Sequence, residues 1–242
     1  MKVIKKFILS PIKKLLQFFL KPLGYVVVRK KDIIDYYLHE YPSYEKYREV
    51  QIFHNKRKIN SVWADKATLN RVADLVVNKV KSRPIKGLCH GTRNGFEQNY
   101  LNGMNVGIEA LGTDISETAL NYENSVQWDF HDIKDEWKNK FDFIYTNSLD
   151  QSWQPKQALL VWLEQLNREG LLIIEHTETH GPKSASEMDP FGVRPMVVPY
   201  VLTMWFGSQI SISHTVEKKD NNSLDAWLFV ISKNGEREIK YE

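Results

Sequence analysis

Residues Gly87 to Gln98 read GLCHGTRNGFEQ. An apolar run breaks there at two glycines, Gly91 and Gly95, and a helix-like pattern follows. A strand that turns sharply into a helix leaves helix N–H groups unpaired beside a turn with little side-chain bulk, so backbone can approach a ligand there. Ile85 to Cys89 predicts the strand, and Phe96 to Leu101 predicts the start of the helix.

Outward from this turn the alternation continues. Upstream, Trp63, Ala67, Leu69, Val72, Ala73, Val76 and Val80 recur at helical spacing, which predicts a helix over Ser61 to Val80 with Ser61 as its N-cap. Downstream, strands are expected at Val106 to Asp114, Val126 to Phe130, Phe141 to Ser148 and Leu171 to His176, with a helix from Pro155 to Leu166. Strand and helix in turn argue for an α/β fold, a doubly wound and mostly parallel sheet with helices on both faces. After Pro199 comes a helical run, YVLTMWFG. Two closing strands, Gln209 to Val216 and Ala226 to Ser232, flank a turn at Lys219 to Asn222 and suit an antiparallel hairpin.

A chain of 242 residues, 42% apolar and 12% aromatic, suffices for one or at most two domains with a sizeable core. Cys89 is the sole cysteine, so no internal disulfide forms and a reducing, cytoplasmic setting is expected. No stretch reaches the roughly 20 apolar residues of a membrane-spanning helix. Residues 1–31 hold nine Lys and Arg and no acid, which leaves 24 basic against 30 acidic residues elsewhere. A basic body for nucleic acid is therefore not expected. The segment alternates lysine pairs with Phe7, Ile8, Leu15, Leu16, Phe18, Phe19 and Leu20, broken at Pro11 and Pro22. It reads as a basic amphipathic segment for an anionic membrane surface, at the inner face of the membrane, or for packing on protein. Residues 32–60 read as a helical lead-in on either side of Pro42, and 61–242 as the main domain.

In a doubly wound sheet, ligands lie beyond the carboxyl ends of the strands. Behind the first strand is the glycine turn. Asp114, followed by Ile115, ends the second strand 23 residues past Gly91 and is placed to accept from a ribose diol. Beyond the third, Asp129 can accept from an adenine amine while Phe130 packs on the ring. The turn has neither the G-x-G-x-x-G of a pyrophosphate-binding dinucleotide site nor the lysine of a phosphate loop. An adenosine cofactor without phosphate fits better.

Residues 85 to 232 resemble the S-adenosylmethionine-dependent methyltransferases with a Rossmann-like seven-stranded sheet. The resemblance rests on GLCHGTRNG, ALGTDIS, VQWDFHD, FDFIYTNSLDQSW and LLIIEHTETHG in order, and on a final hairpin that matches the reversed seventh strand. Through CHGTRNG and NSLD the chain is also similar to the group associated with surface-polysaccharide and lipopolysaccharide biosynthesis. The resemblance implies S-adenosyl-L-methionine as cofactor, with Cys89, His90, Gly91, Thr92, Arg93 and Gly95 among the cofactor-binding residues. More closely, it implies backbone around Gly91 to Gly95 for the methionine moiety, Asp114 on the ribose, Asp129 on the adenine amine and Asn147 to Asp150 facing the transfer site. The family commonly has an acid at the start of the first motif, where this chain has Cys89 and His90.

Methyl transfer asks mainly for alignment, but a sugar hydroxyl acceptor benefits from a base. The candidates are His176 first, with Asp150 to orient it, then Glu178 and His180. His176-x-Glu178-x-His180 has the ligand types of a metal site without the H-E-x-x-H helical spacing, and no metal is expected. Substrate contacts are expected from the lead-in and from Gly181 to Pro199. Tyr44, Tyr47, Trp153 and Phe191 suit stacking on sugars, and Lys56, Arg57, Lys58 or Arg194 suit pairing with an anion. The expected activity is O-methylation of a glycan or glycolipid intermediate. Methylation of a lipid-linked small molecule, or a non-catalytic cofactor-binding protein on the same fold, are the alternatives.

Overall fold

The computed structural model describes residues 14–25, 27, 34–81, 83–220 and 224–235. The chain divides into two units, Met1–Ile34 and Asp35–Glu242. In the first, residues 14–20 are helical and a tight turn over Lys21–Leu23 ends at Gly24 with φ 82°. Leu15, Leu16, Phe18 and Phe19 are exposed, and the Gln17 side chain accepts from Val27 N at 2.8 Å. Phe7, Ile8 and Pro11 lie outside the described residues. No helix among the described residues is long and apolar enough to cross a membrane.

The second unit begins with a short strand, β1 (Tyr36–Leu38), and helix α1 (Tyr44–Arg57). Helix α2 (Lys66–Lys79), strand β2 (Ile85–His90), helix α3 (Phe96–Gly103), and strands β3 (Ile108–Asp114), β4 (Ser125–Gln127) and β5 (Phe141–Thr146) follow. Next come helix α4 (Pro155–Gln165), strands β6 (Leu166–His176) and β7 (Phe191–Val193), helix α5 (Val198–Phe206), and the hairpin β8 (Ile210–Lys218) and β9 (Asp225–Lys233). Seven strands form one sheet in the order β4-β3-β2-β5-β6-β9-β8. Strands β4, β3, β2, β5 and β6 are parallel, β9 runs antiparallel to β6, and β8 antiparallel to β9. The α/β doubly wound architecture is thus the one the sequence predicts.

Both faces of the sheet are covered, and the period-2 alternation of strands divides the core accordingly. Leu88, Ile144, Leu172 and Ile174 pack on Leu159, Trp162 and Leu163 of α4 and Val201 of α5. Their neighbours Cys89, Phe143, Tyr145 and Ile173 pack on Leu69, Val72, Ala73 and Val76 of α2 and on Leu101 of α3. All six residues of β5 are buried. After β2 the chain moves outward through β3 and β4, then returns to place β5 on the other side of β2. That reversal opens a crevice at the carboxyl end of β2.

Several boundaries differ from expectation. The helix expected from Ser61 begins at Lys66, because Asp65 caps it, its carboxylate accepting from Thr68 N at 2.8 Å. Among its described residues, the lead-in is helical only after Pro42. Before it, Tyr36–Leu38 pairs antiparallel with Phe191–Val193, so the lead-in is tied to the segment between β6 and α5. Strand β4 stops at Gln127, leaving Asp129 and Phe130 in the turn beyond. Asn221 and Asn222 of the expected hairpin turn lie outside the described residues.

Gly87 pairs in register with Phe143, and a Cβ at Gly87 would run into the Phe143 ring. With Phe143 fully buried, the ring cannot move aside without disturbing α2 and α3. Gly87→Ala is expected to destabilise the fold by about 1–3 kcal/mol, measured as a lower midpoint in chemical denaturation with unchanged slope.

Candidate functional site

The glycine turn is held from β3. Gly91 N and Thr92 N both donate to the Thr113 carbonyl, at 2.9 and 3.0 Å. Gly91 (φ 73°), Arg93 (φ 49°) and Gly95 (φ 74°) all adopt left-handed backbone, and Gly95 N-caps α3. A Cβ at Gly91 would collide with Ser148 from the end of β5. The glycine thus lets two strand ends close on each other.

Asp114 is the fixed point of the site. One carboxylate oxygen accepts from Asn55 Nδ2 at 2.8 Å and Ser116 N at 2.9 Å, and the other from Arg93 N at 3.0 Å. Burial pushes this carboxyl up from its ordinary value, and the hydrogen bonds from Ser116, Arg93 and Asn55 oppose that. Asp129 accepts from His131 through backbone N (2.9 Å) and ring Nδ1 (2.7 Å) on one oxygen, and from the Tyr44 hydroxyl (2.9 Å) on the other. Burial would raise its pKa, but these bonds outweigh it and the carboxyl lies below the usual range. Gly91, Arg93, Asp114, Ile115, Asp129 and Phe130 line a single pocket. Helix α1 covers it with Tyr47, Gln51 and Asn55 and its C-cap Lys58, and Met188 and Asp189 close another side. The strand-end residues named from sequence therefore do converge.

Others point elsewhere. The His90 ring bridges Thr113 Oγ1 (2.8 Å) and Gln165 Oε1 (2.9 Å) and stacks on Trp162, so it pins β2 to α4. Burial pushes its pKa down to about 4. Cys89 is fully buried, and burial drives its thiol well above the ordinary value. Neither side chain faces the pocket; what either contributes there is backbone. Phe191 is 2% exposed, within the core, and unavailable for stacking on a sugar. Tyr47 and Trp153 stack on each other at 5.5 Å, and Lys56 pairs with Glu117.

At the ends of β5 and β6 the proton-handling candidates separate. His176 is 1% exposed, its Nε2 hydrogen-bonds the Val193 carbonyl at 2.8 Å, and burial lowers its pKa to about 3. This ring is packed on the α5 side of the sheet rather than presented to an acceptor. His180, 5.0 Å from it between ring centres, is the member that meets Asp150, with Nε2 3.8 Å from a carboxylate oxygen. His180 Nδ1 and the other Asp150 oxygen are buried with no hydrogen-bond partner among the described residues. Burial raises Asp150 to about 7, while burial and then the Lys219 charge lower His180 to about 4. Glu178 is exposed, and no group of three His, Cys, Asp or Glu among the described residues could hold a metal ion.

Sequence reasoning missed Glu97, Asn55 and Asp189. Glu97, two residues past Gly95, is 6% exposed; one oxygen accepts from Asn147 Nδ2 at 3.3 Å and the other is unpartnered among the described residues. An acid directly behind a glycine turn was a visible signal. Asn55 and Asp189 had none, because they reach the pocket from segments distant in sequence.

No protein-family model matches the chain, and no curated protein does. Solved structures do share the fold. A 1,6-didemethyltoxoflavin-N1-methyltransferase from Burkholderia thailandensis, with bound 1,6-didemethyltoxoflavin and S-adenosylhomocysteine, superposes with a TM-score of 0.62 at 14% identity, over 82% of this chain and 94% of that one. The plantazolicin methyltransferase BpumL in complex with S-adenosylhomocysteine gives 0.56 at 15% identity, over 78% and 96%. The [4+2]-cyclase SpnF gives 0.56 at 11% identity, over 82% and 99%. Together they establish a Rossmann-like α/β fold with seven strands.

The buried Glu97 carboxyl yields a pH prediction. Burial raises it from 4.5 to about 7, with Asn147 and Arg93 opposing and Glu175 adding. Its contribution to stability is therefore complete below pH 4.5 and is lost as the pH rises through 7. Glu97→Gln keeps the neutral form at all pH. Thermal unfolding should show it matching the native chain near pH 4.5 and exceeding it by about 2–3 kcal/mol at pH 8; equal differences at both pH values would refute this.

Proposed function

We propose that the protein is an S-adenosylmethionine-dependent methyltransferase. The observation that carries the reading is the convergence of the Gly91 turn, Asp114 and Asp129 on one pocket at the switch point of the sheet. The donor set suits an adenosine ligand without phosphate: two carboxylates for the ribose diol and the amine, the Phe130 ring beside them, and no lysine in the turn. S-adenosyl-L-methionine, once bound, supplies the electrophilic methyl group. The chain's own part is to align an acceptor and take its proton, a step we assign to Asp150 and His180, 3.8 Å apart beyond β5 and β6.

For the acceptor we favour a sugar hydroxyl of a glycan or glycolipid intermediate. The resemblance to the polysaccharide-associated group supports it, as does the aromatic cluster of Tyr44 and Trp153 packed on the pocket-lining Tyr47. A lipid-linked small molecule is the second acceptor class, favoured by the basic start of the chain. Nine cations without an acid in residues 1–31, with exposed Leu15, Leu16, Phe18 and Phe19, suit peripheral attachment to an anionic membrane. SpnF, a cyclase on the same fold, is the reason to measure methyl transfer itself.

Calorimetric titration should show micromolar binding of S-adenosylhomocysteine and none of NADH. Asp114→Ala and Asp129→Ala should each weaken it by about 1–3 kcal/mol, whereas Tyr44→Phe, which frees an Asp129 oxygen, should bind at least as tightly. Preference for NADH would remove the reading. In vesicle flotation, the full chain should float with phosphatidylglycerol vesicles and not with phosphatidylcholine, and high salt should release it; equal flotation with both would dismiss the anionic-surface role.

A further inference from the structure

Lys219, in the turn after β8, is 3% exposed, and its ammonium is ion-paired with Glu175 on β6. The other Glu175 oxygen accepts from the Tyr145 hydroxyl at 2.5 Å. Asp65, the α2 cap, lies 3.9 Å from the ammonium and accepts from Asp220 N at 3.0 Å, which fastens the turn to α2. A buried ion pair contributes little net stability compared with apolar residues of the same size, so stability alone does not account for a lysine here. What distinguishes the position is its neighbour. Lys219 Nζ is 5.1 Å from the centre of the Trp63 ring, and that ring is 5.3 Å from the His180 imidazole.

The charged and titratable groups facing His180 come from three other elements. They are Asp150 after β5, His176 at the end of β6 and Lys219 in the hairpin turn. We propose that Lys219 is a positioning residue for the Asp150–His180 pair: it seats the Trp63 indole against the His180 ring and places a buried positive charge behind it, so that a proton reaching the pair settles on Asp150. The inference rests on the reading of that pair as the proton acceptor for the transferred group. The two groups lie 3.8 Å apart, and burial raises Asp150 to about 7 while burial and the Lys219 charge lower His180 to about 4, which is the order this requires.

The test follows the His180 ring by nitrogen-detected NMR of the full chain against pH, in the native protein, in Glu175→Gln and in Lys219→Met/Glu175→Gln. The double variant removes both charges of the Lys219–Glu175 pair, and Asp65 keeps its Thr68 and Asp220 N–H donors. The native ring is expected to titrate at about 4. In the double variant the midpoint should rise by roughly one pH unit, and in Glu175→Gln, which leaves the lysine charge less compensated, it should fall or stay. A double variant titrating with the native chain would overturn the proposal, as would a rise in Glu175→Gln. If the double variant does not fold, the sign in Glu175→Gln decides. S-adenosylhomocysteine binding measured on the same samples separates the two ideas: absence of binding in the native chain dismisses the methyltransferase reading and leaves the ring titration to stand by itself.

Discussion

The carboxylate of Asp114 gathers N–H donors from three parts of the chain: the Asn55 side chain of α1, the Arg93 backbone of the glycine turn and Ser116 beyond its own strand. A buried carboxylate without partners is costly, so these three donors have to be brought to it, and each brings a segment along. Arg93 fixes the left-handed turn into α3, Asn55 draws α1 over the pocket, and Ser116 starts the short helical turn Glu117–Asn121. One ionisable side chain thereby sets the floor, wall and lid of the site.

The carboxyl edge of the sheet is rich in groups held away from their ordinary protonation. Buried His90, His176 and His180 are pushed down, whereas Asp150, Glu97 and Asp189 are pushed up to about 7, 7 and 6, burial being the largest cause in each case. The two sets act oppositely on stability. The histidines favour unfolding as the pH falls below their unfolded value, and the carboxyls favour it as the pH rises through their folded ones. Of these groups only Asp189 lines the pocket itself, whereas His90 and His176 are committed to packing within the sheet's own face.

The order of strands and helices was legible because each strand is a short apolar run closed by a polar turn. The residues at the strand ends were legible because a doubly wound sheet puts ligands there, and Gly91, Asp114, Asp129 and Phe130 do share a pocket. The covering elements were not. Asn55 meets Asp114 across 59 positions and Tyr44 meets Asp129 across 85, and no local periodicity encodes such contacts. The pairing of Tyr36–Leu38 with Phe191–Val193 involves only three residues on each side, too few to show an alternation. His176 is a different kind of miss. In LLIIEH it shares the face of Leu172 and Ile174, so the same alternation that identified the strand also points its ring toward the α4 and α5 core.

One fold can carry different chemistry, and what lies beyond the carboxyl ends of the strands then matters more than the sheet. In this chain those parts include α1, the segment 181–190 and the start of the β8–β9 turn. They are fastened to one another or to α2 rather than left as separate loops: His39 N donates to the Pro190 carbonyl, Gln51 to the Met188 carbonyl and Tyr41 to the Glu187 carbonyl, while Asp220 N donates to Asp65. Loops joined in this way cannot adjust independently. Through Gln51 and Asn55, helix α1 links the Met188 carbonyl to Asp114, so the 181–190 segment and the glycine turn share one covering helix.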